Sequence, residues 1–519
     1  MAAAKYSKVL GDFQHYFAGL LPPEDEGVAL ATSSGMICLP YCNPDDLKGE
    51  LAKYDIIHVH WWNNPQLNAF LRSGLPECRL LIWFHVGGQA LPQIVTDKVV
   101  AFADFALAGS PYTYEAPAFQ KLDERSKIQK TGIAYDPADF DRLRGLVKKA
   151  HKNFNIGFIG TVDYLKMHPR YFEMSAATSI PDVKFIVCGP GAAVQDLLQR
   201  SREHGLQERF DIRGYVSDIR PVLEIMDIYG YPLCEDNYSA AELNLQEVMY
   251  AGIPPVVFPY GGVKRLVEHD RTGLVVSTER EYVEALEYLY KYPAERERLG
   301  NNAAGYARDY FGAENASRIL NGIYQNLTTI PKRPHFWGER YNPFEAGYHR
   351  SGFDALPLTP AEIFIETLGP AGVDYAASLQ STDIRTAMVA DERISRMSKT
   401  MQMTGVLPYK DYYPQDFYLR LWAALSFWGA GLPEHALVEY SEALKLSNPH
   451  WRVLWYFALA AIKIKQWQLA NAALEQLRSI APAFEPAHAL SKEIEHQDVV
   501  LLDNGLMQIN LEHRLHTPI

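Results

Sequence analysis

The sequence predicts an α/β protein with two doubly wound parallel sheets facing a cleft, followed by an α-helical region. Three observations carry this reading. Short apolar runs alternate with stretches of helical length over 51–135, and the same rhythm restarts at residue 153. Such β-α-β alternation builds mostly parallel sheets covered by helices. Beyond residue 410 the chain turns helical and carries an internal repeat.

In the first half, Tyr54–His60, Leu80–Val86 and Phe105–Ala108 read as buried strands, being short apolar runs of strand length. Pro65–Ser73 and Leu91–Phe102 lie between them as helices. Gly27–Ala31 reads as a further strand, preceded by a helix around Ser7–Leu20. In the second half, strands are expected at 154–159, 183–188, 209–212, 227–231 and 254–258. Helices are expected at 169–178, 192–204, 218–225, 242–251 and 279–291, and the halves join near Arg142–Lys152. Ligands of such folds sit beyond the carboxyl ends of the strands.

Residues 331–410, rich in Pro, Gly and aromatics, read as a linker followed by short helices. Residues 411–495 hold two units with tetratricopeptide-like spacing. Gly431, Ala436, Tyr440 and Ala443 fit the first, whose closing Pro449 falls one position late; Ala458, Ala461, Ala470, Leu474, Leu477 and Pro482 fit the second. Two units are fewer than a stable array needs, so the pair is expected to dock, either on its own chain or on a protein partner. The expected divisions are thus 1–145, 146–330, 331–410, 411–495 and a tail, 496–519.

A chain of 519 residues suits two or three domains, and 48% hydrophobic with 22% charged residues is ordinary globular composition. The excess of 62 acidic over 50 basic residues, a net charge of -12, disfavours nucleic acid as a partner. The cysteines Cys38, Cys42, Cys78, Cys188 and Cys234 are scattered, without disulfide or metal spacing. They read as reduced thiols of a cytoplasmic chain. No signal-peptide core and no apolar stretch of about 20 residues is present, so no transmembrane segment is expected. A peripheral place at the inner membrane surface is compatible with this.

The chemistry lies in 154–276. A strand ends in Gly160, and a short loop then carries Lys166 ahead of Pro169; the lysine either reaches an anion held over the cleft or is a plain surface lysine beside a helix start. Cys234-Glu-Asp-Asn-Tyr-Ser239 then leads into a helix expected near Ala241, whose first N–H groups and dipole make an anion site. Ser239 and Glu242 could equally be a plain capping box. Glu247 fits no such reading: it lies among Leu243, Leu245, Val248 and Met249, where a carboxylate needs a polar partner such as a ribose diol. Asp139-Phe-Asp141 resembles a metal-binding Asp-x-Asp, but reads better as a loop-to-helix cap.

Lys166, the 239–252 segment and Gly261-Gly-Val-Lys-Arg-Leu-Val-Glu-His-Asp-Arg-Thr-Gly273 together resemble the donor half of a GT-B glycosyltransferase. The closest group is the retaining family 4, also called glycosyl transferases group 1, and the likeness runs from about Tyr54 to Leu327. It implies Rossmann-like halves: 1–145 on the acceptor side and 146–330 for a nucleotide-sugar donor. Lys166 would neutralise the donor diphosphate beside Gly160 and Thr161, and Glu247 would accept the ribose hydroxyls. Amides at Leu243 and Asn244, near Ser239, would hold the distal phosphate, while Tyr215 and Val216 line the base pocket. His85 would contact the donor sugar near the reaction centre, with Glu242 as the sugar-facing carboxylate.

The chain departs from the family in three places. Ser239 stands where many relatives carry the first glutamate of a pair, leaving Glu242, five residues before Glu247, as a variant. Thr161 replaces an arginine, for which Lys264 and Arg265 are possible substitutes. No first strand with a glycine-rich loop is visible before Ser7, implying a trimmed chain or a reduced acceptor-side half. The resemblance implies transfer from a UDP- or GDP-sugar to a glycan, lipid-linked or protein acceptor. Retention of configuration is implied too, with no metal or other cofactor, the donor being a co-substrate. A nucleotide-sugar epimerase and a weakly catalytic nucleotide-sugar-binding scaffold are the alternatives.

Overall fold

Runs of Ile, Val, Leu and aromatic residues form two parallel sheets. The computed structural model describes residues 6–7, 9–337, 358–381, 383–399, 404–447 and 450–495. The expectations for Pro449 and 496–519, and the linker part over 338–357, lie outside them. Strands β1 (Tyr16–Phe17) and β2 (Ile37–Cys38) pair with each other in parallel. Then come β3 (Ile57–Trp61), β4 (Leu75–Cys78), β5 (Leu80–Phe84), β6 (Phe105–Ala108) and β7 (Thr131–Ile133). The second half supplies β8 (Phe154–Ile159), β9 (Val183–Cys188), β10 (Phe210–Gly214), β11 (Ile228–Tyr231), β12 (Pro255–Val257) and β13 (Leu274–Val275). The last strand is β14 (Arg333–His335). One sheet runs β3-β5-β6-β7 and the other β10-β9-β8-β11-β12-β13, all pairs parallel.

The chain divides into two compact units. The first is Met1–Trp61, Ser73–Ala90 and Asp97–Trp337; the second is Trp62–Arg72, Leu91–Thr96 and Gly338–Ile519. Both parallel sheets lie in the first. The helix Gly312–Thr328, late in the sequence, packs Ala316, Leu320, Ile323 and Leu327 against Leu81, Trp83 and Leu107 of the earlier sheet.

Three expectations are corrected. The strand at Gly27–Ala31 is instead part of a helix, Asp25–Ser33, while Tyr16–Phe17, expected helical, is extended. Asp25 and Glu26 complement the helix dipole in the first turn, and Gly35, at φ +85°, supplies the left-handed residue that ends it. The helix expected over Leu91–Phe102 starts only at Asp97. Before it, Asn63 N–H donates to Gln93 Oε1 (2.8 Å) and Asn63 Nδ2 to the Pro92 carbonyl (2.9 Å), bonds that hold this stretch out of a helix.

The beginning of the expected linker is ordered: β14 pairs antiparallel with β4. Asp104 ties it down, accepting from Arg333 Nε at 2.6 Å and from the Leu80 amide at 2.8 Å, with His335 Nε2 3.2 Å away. Burial would lower the His335 pKa, but the hydrogen bonds and charges of Asp104 and Cys78 together outweigh it and raise the group to about 9. Burial would raise Asp104, but His335, the Leu80 amide and Arg333 hold it below its ordinary value. A raised histidine stabilises fully below its unfolded value of about 6.5 and loses that contribution as pH rises through about 9. The Asp104 contribution is present above the ordinary value of 3.8 and is lost on acidification. Urea unfolding should therefore show the wild-type chain losing about 2 kcal/mol between about pH 6.5 and about pH 9.5 relative to His335→Gln, allowing for partial solvent screening. Parallel pH profiles for the two chains would refute this.

The second unit is helical. Pro360–Leu368, Val373–Gln380, Ile384–Met397 and Val406–Tyr412 precede two helical hairpins, Phe417–Gly429 with Pro433–Leu446 and Trp451–Lys463 with Trp467–Ile480, and then Glu485–Glu495. Gly431 at φ +73° and Lys465 at φ +62° make the two hairpin turns. Trp422, Trp428, Trp455 and Tyr456 are buried in one core that also holds Phe364, Tyr375 and Met388. The helices over 360–412 therefore share their core with the repeat-like hairpins. Among the described residues, no helix is long and apolar enough to cross a membrane.

Candidate functional site

The order β10-β9-β8-β11-β12-β13 changes direction between β8 and β11. In a doubly wound sheet this switch point opens a crevice beyond the strands' carboxyl ends, where ligands bind. Gly160 follows β8 there, and its N–H donates to the Cys188 carbonyl at 2.9 Å. Gly189 follows β9 at φ +142°, so close that a Cβ on it would lie 1.7 Å from Gly160 O. Only glycine lets these two strand ends approach each other. Thr161, the next residue, is exposed.

The loop after Gly160 is pinned to the exit of β11. Met167 bridges Leu233, His168 N–H donates to Pro232 O (2.9 Å), and Cys234 N–H donates to Lys166 O (2.8 Å). These bonds carry Lys166 to the switch point. Its Nζ lies 3.0 Å from Glu242 Oε2, with the side chains 15% and 6% exposed. Tyr231 Oη donates to the same oxygen at 2.5 Å. Burial pulls the lysine pKa down, but the Glu242 charge and hydrogen bond, with Tyr238 and Cys234, together outweigh it and the net shift is upward. Burial, reinforced by Glu242, pushes the Tyr231 phenol well above its ordinary value, so it stays a donor.

Glu242 precedes the helix Leu243–Tyr250 at φ +26°, a conformation rare for a residue with a side chain. The helix starts two residues later than expected from Ala241. The alternative capping box is not formed: Glu242 is engaged by Lys166 and Tyr231, and Ser239 Oγ instead accepts from Gly262 N–H at 3.2 Å. Leu243 and Asn244 open the helix, and Asn244 Nδ2 donates to Ile159 O at 3.0 Å, tying it to the end of β8. Tyr215 and Val216 follow β10, with Tyr215 77% exposed.

Glu247 requires a correction. The sequence gives it no protein partner, yet Arg142 grips it with both arms, Nε to Oε1 at 3.0 Å and Nη2 to Oε2 at 2.6 Å. The Glu247 side chain is 2% exposed and that of Arg142 42%. Lys264 and Arg265, the possible substitutes for the arginine missing at Thr161, are likewise paired, with Glu115 at 3.3 and 2.5 Å. Asp139 Oδ1 accepts from Asp141 N–H at 3.2 Å just ahead of the short turn Asp141–Leu143, whose N-cap residue is Phe140.

Across from this edge stand the carboxyl ends of the first sheet: His85 after β5, Gly109 after β6 and Asp136 after β7. Gly87 N–H donates to Tyr238 O (3.0 Å), and Gln246 Nε2 donates to Asp136 O (2.9 Å), so the two edges meet. His85 Nδ1 lies 2.5 Å from Asp136 Oδ1, and its Nε2 lies 2.7 Å from His60 Nδ1. In this arrangement His85 Nδ1–H donates to the Asp136 carboxylate, and Nε2 accepts from His60 Nδ1–H. Both nitrogens of His85 are thus engaged, and its side chain is 4% exposed. His60, half-buried, stacks on His58, whose Nδ1 is 2.8 Å from Tyr324 Oη. Burial lowers the His58 pKa to about 3 and that of His60 well below its ordinary value, so both are neutral. Sequence reasoning missed Asp136 and His60. The alternation His58-Val-His60, which puts both rings on one face of β3, was the available signal.

Residues 139–306 match the family described as Glycosyl transferases group 1. The chain is 30% identical over 176 residues to the alpha-D-kanosaminyltransferase of Streptomyces kanamyceticus, covering 33% of this chain and 45% of that protein. It is 24% identical over 324 residues to the D-inositol 3-phosphate glycosyltransferase of Corynebacterium urealyticum, covering 54% and 73%. Among solved structures, a glycosyltransferase from Rickettsia africae superposes with a TM-score of 0.51 at 14% identity, covering 63% of this chain and 93% of that one. Anabaena Alr3699/HepE, in complex with UDP and glucose, gives 0.50 at 16% identity, covering 62% and 95%. Residues 139–306 are thus a glycosyl transferases group 1 domain, carried in a chain of GT-B fold.

Proposed function

We propose that the chain is a retaining glycosyltransferase of family 4 that moves a sugar from a UDP- or GDP-sugar to a glycan, lipid-linked or protein acceptor. One observation carries this best: a buried lysine and a helix start converge at the switch point of a doubly wound sheet. In this reading Lys166 and the amides of Leu243 and Asn244 supply the positive field for the leaving diphosphate, without a metal. Gly160 and Thr161 leave room for the phosphates, and Tyr215 and Val216 flank the base. Glu247, held by Arg142, meets the ribose hydroxyls in this reading. His85 contributes through its place at the edge of β5, and Ser239 by holding the turn against Gly262. The helical unit, with its tetratricopeptide-like spacing, is the proposed place for acceptor or partner recognition.

One observation favours the rival reading, binding without turnover: Glu242 already neutralises Lys166. A thermal-shift screen of UDP, GDP and ADP tests the common premise. One of them at 100 times its dissociation constant should add about 2.7 kcal/mol of stability; no shift with any would overturn it. Mass spectrometry after incubation with the matching nucleotide sugars then separates the readings. Released or transferred sugar means a transferase, an isomerised donor an epimerase, and unchanged donor a scaffold.

A further inference from the structure

We propose that Glu242 sets the ligand selectivity of this site by holding Lys166 in the place of a phosphate, so that only a ligand with phosphate to spare displaces it. This rests on the nucleotide-sugar reading above, and gives Glu242 a role opposite to that of a sugar-facing carboxylate.

Three independent features of the structure support it. The carboxylate sits against the buried Lys166 ammonium at 3.0 Å, and a second donor, Tyr231 Oη, completes the same oxygen at 2.5 Å. That is how a bound phosphate oxygen is held, with a cation and a hydroxyl converging on one atom. Second, the residue bearing this carboxylate adopts φ +26° at the position just before the helix, where a glycine would be at ease. The side chain is retained there despite the backbone it requires. Third, the neighbouring position is open: a Cβ on Gly160 would come within 3.3 Å of Tyr231 Oη and 3.6 Å of Asn244 Nδ2, so its absence leaves space beside that hydroxyl.

The electrostatics follow from these contacts. Lys166 and Glu242 cancel each other in a setting that water barely reaches, with Tyr238 and Cys234 as the other titratable groups acting on the lysine. An incoming anion must therefore face the Glu242 charge or push it off Lys166. A monophosphate reaches either the lysine or the helix start. A diphosphate reaches both, and its second contact offsets the broken pair. Glu242 thus acts through Lys166 as a positioning residue, and it favours diphosphates over monophosphates.

The test is titration calorimetry on the full-length chain with UDP, GDP, ADP and their monophosphates, comparing wild type with Glu242→Gln. The amide keeps the shape and the Tyr231 hydrogen bond but not the charge. A like charge about 5 Å away, at an effective dielectric of about 20, is large enough to change affinity more than tenfold. Glu242→Gln is therefore expected to tighten monophosphate binding about tenfold or more and diphosphate binding less, so the diphosphate preference shrinks. Adding Lys166→Gln should abolish the gain, which a purely structural effect of Glu242 would not explain. Glu242→Gly, which also relieves the backbone, should show the same shift and serves if the glutamine variant does not fold. Weaker binding in these variants, or an unchanged preference, overturns the proposal while leaving the nucleotide reading intact. Nucleotide binding seen only in the variants overturns the proposed displacement of Glu242 by a diphosphate, and no binding in any of the chains overturns both readings.

Discussion

Arg142→Ala is expected to lower the free energy of unfolding by about 3–5 kcal/mol, and Glu247→Ala by clearly less. The asymmetry comes from exposure. Removing the guanidinium leaves a carboxylate that is 2% exposed without its bidentate partner, whereas removing the carboxylate leaves an arginine that is 42% exposed and can turn to water. Urea unfolding of both variants and of Arg142→Ala/Glu247→Gln checks this. The double variant should recover most of the loss, because the uncompensated charge is gone. Equal losses in the two single variants would mean that the pair is not what holds this corner together. The same variants bear on the ligand: per folded molecule, Glu247→Ala should lose nucleotide affinity if the carboxylate meets the ribose. Unchanged affinity would make Glu247 a purely structural partner of Arg142.

That pair also marks where the sequence stops being informative. The strands Phe154–Ile159 and Val183–Cys188 are legible to the residue, because a strand buried on both faces is a nearly continuous apolar run, here interrupted only at Asn155 and Lys184, and each is followed by a glycine, Gly160 or Gly189. The helix Glu279–Lys291 is equally plain, with Thr278 capping it and apolar residues at helical spacing. Arg142 and Glu247, by contrast, lie 105 residues apart, and nothing local to either announces the other. The reasoning that a carboxylate in an apolar helix needs a partner was sound, but the partner lies in the segment joining the two sheets. The same limit hid the Asp136–His85–His60 chain, whose members come from three separate strand ends. The terminal region was misread for a local reason: Gly27–Ala31 is apolar enough for a strand, and only the acidic turn before it and Gly35 after it show that a helix forms. In the helical unit the hairpins were visible through small residues at helical spacing. Their shared core with 360–412 was not, since it depends on which of several apolar faces meet.

Lys166→Ala is expected to lower donor turnover about 10²–10³-fold, the usual cost of removing one preorganised donor from a developing negative charge. Affinity for the free nucleoside should change little, because only interactions that strengthen in the transition state raise the rate. The substitution has a second consequence that must be separated from the first. It strips the cation from Glu242, whose side chain is only 6% exposed, so the single variant should also lose stability. Making the substitution in a Glu242→Gln background removes that burden, since a neutral amide at this position needs no counter-charge. The stability loss should then largely disappear while the turnover loss persists, read as sugar released from the donor per folded molecule. If both losses vanish together, Lys166 serves the fold by pairing with Glu242 and the diphosphate is stabilised elsewhere. If turnover and nucleoside affinity fall by the same factor, Lys166 binds the ground state and the leaving group equally, and its catalytic role fails.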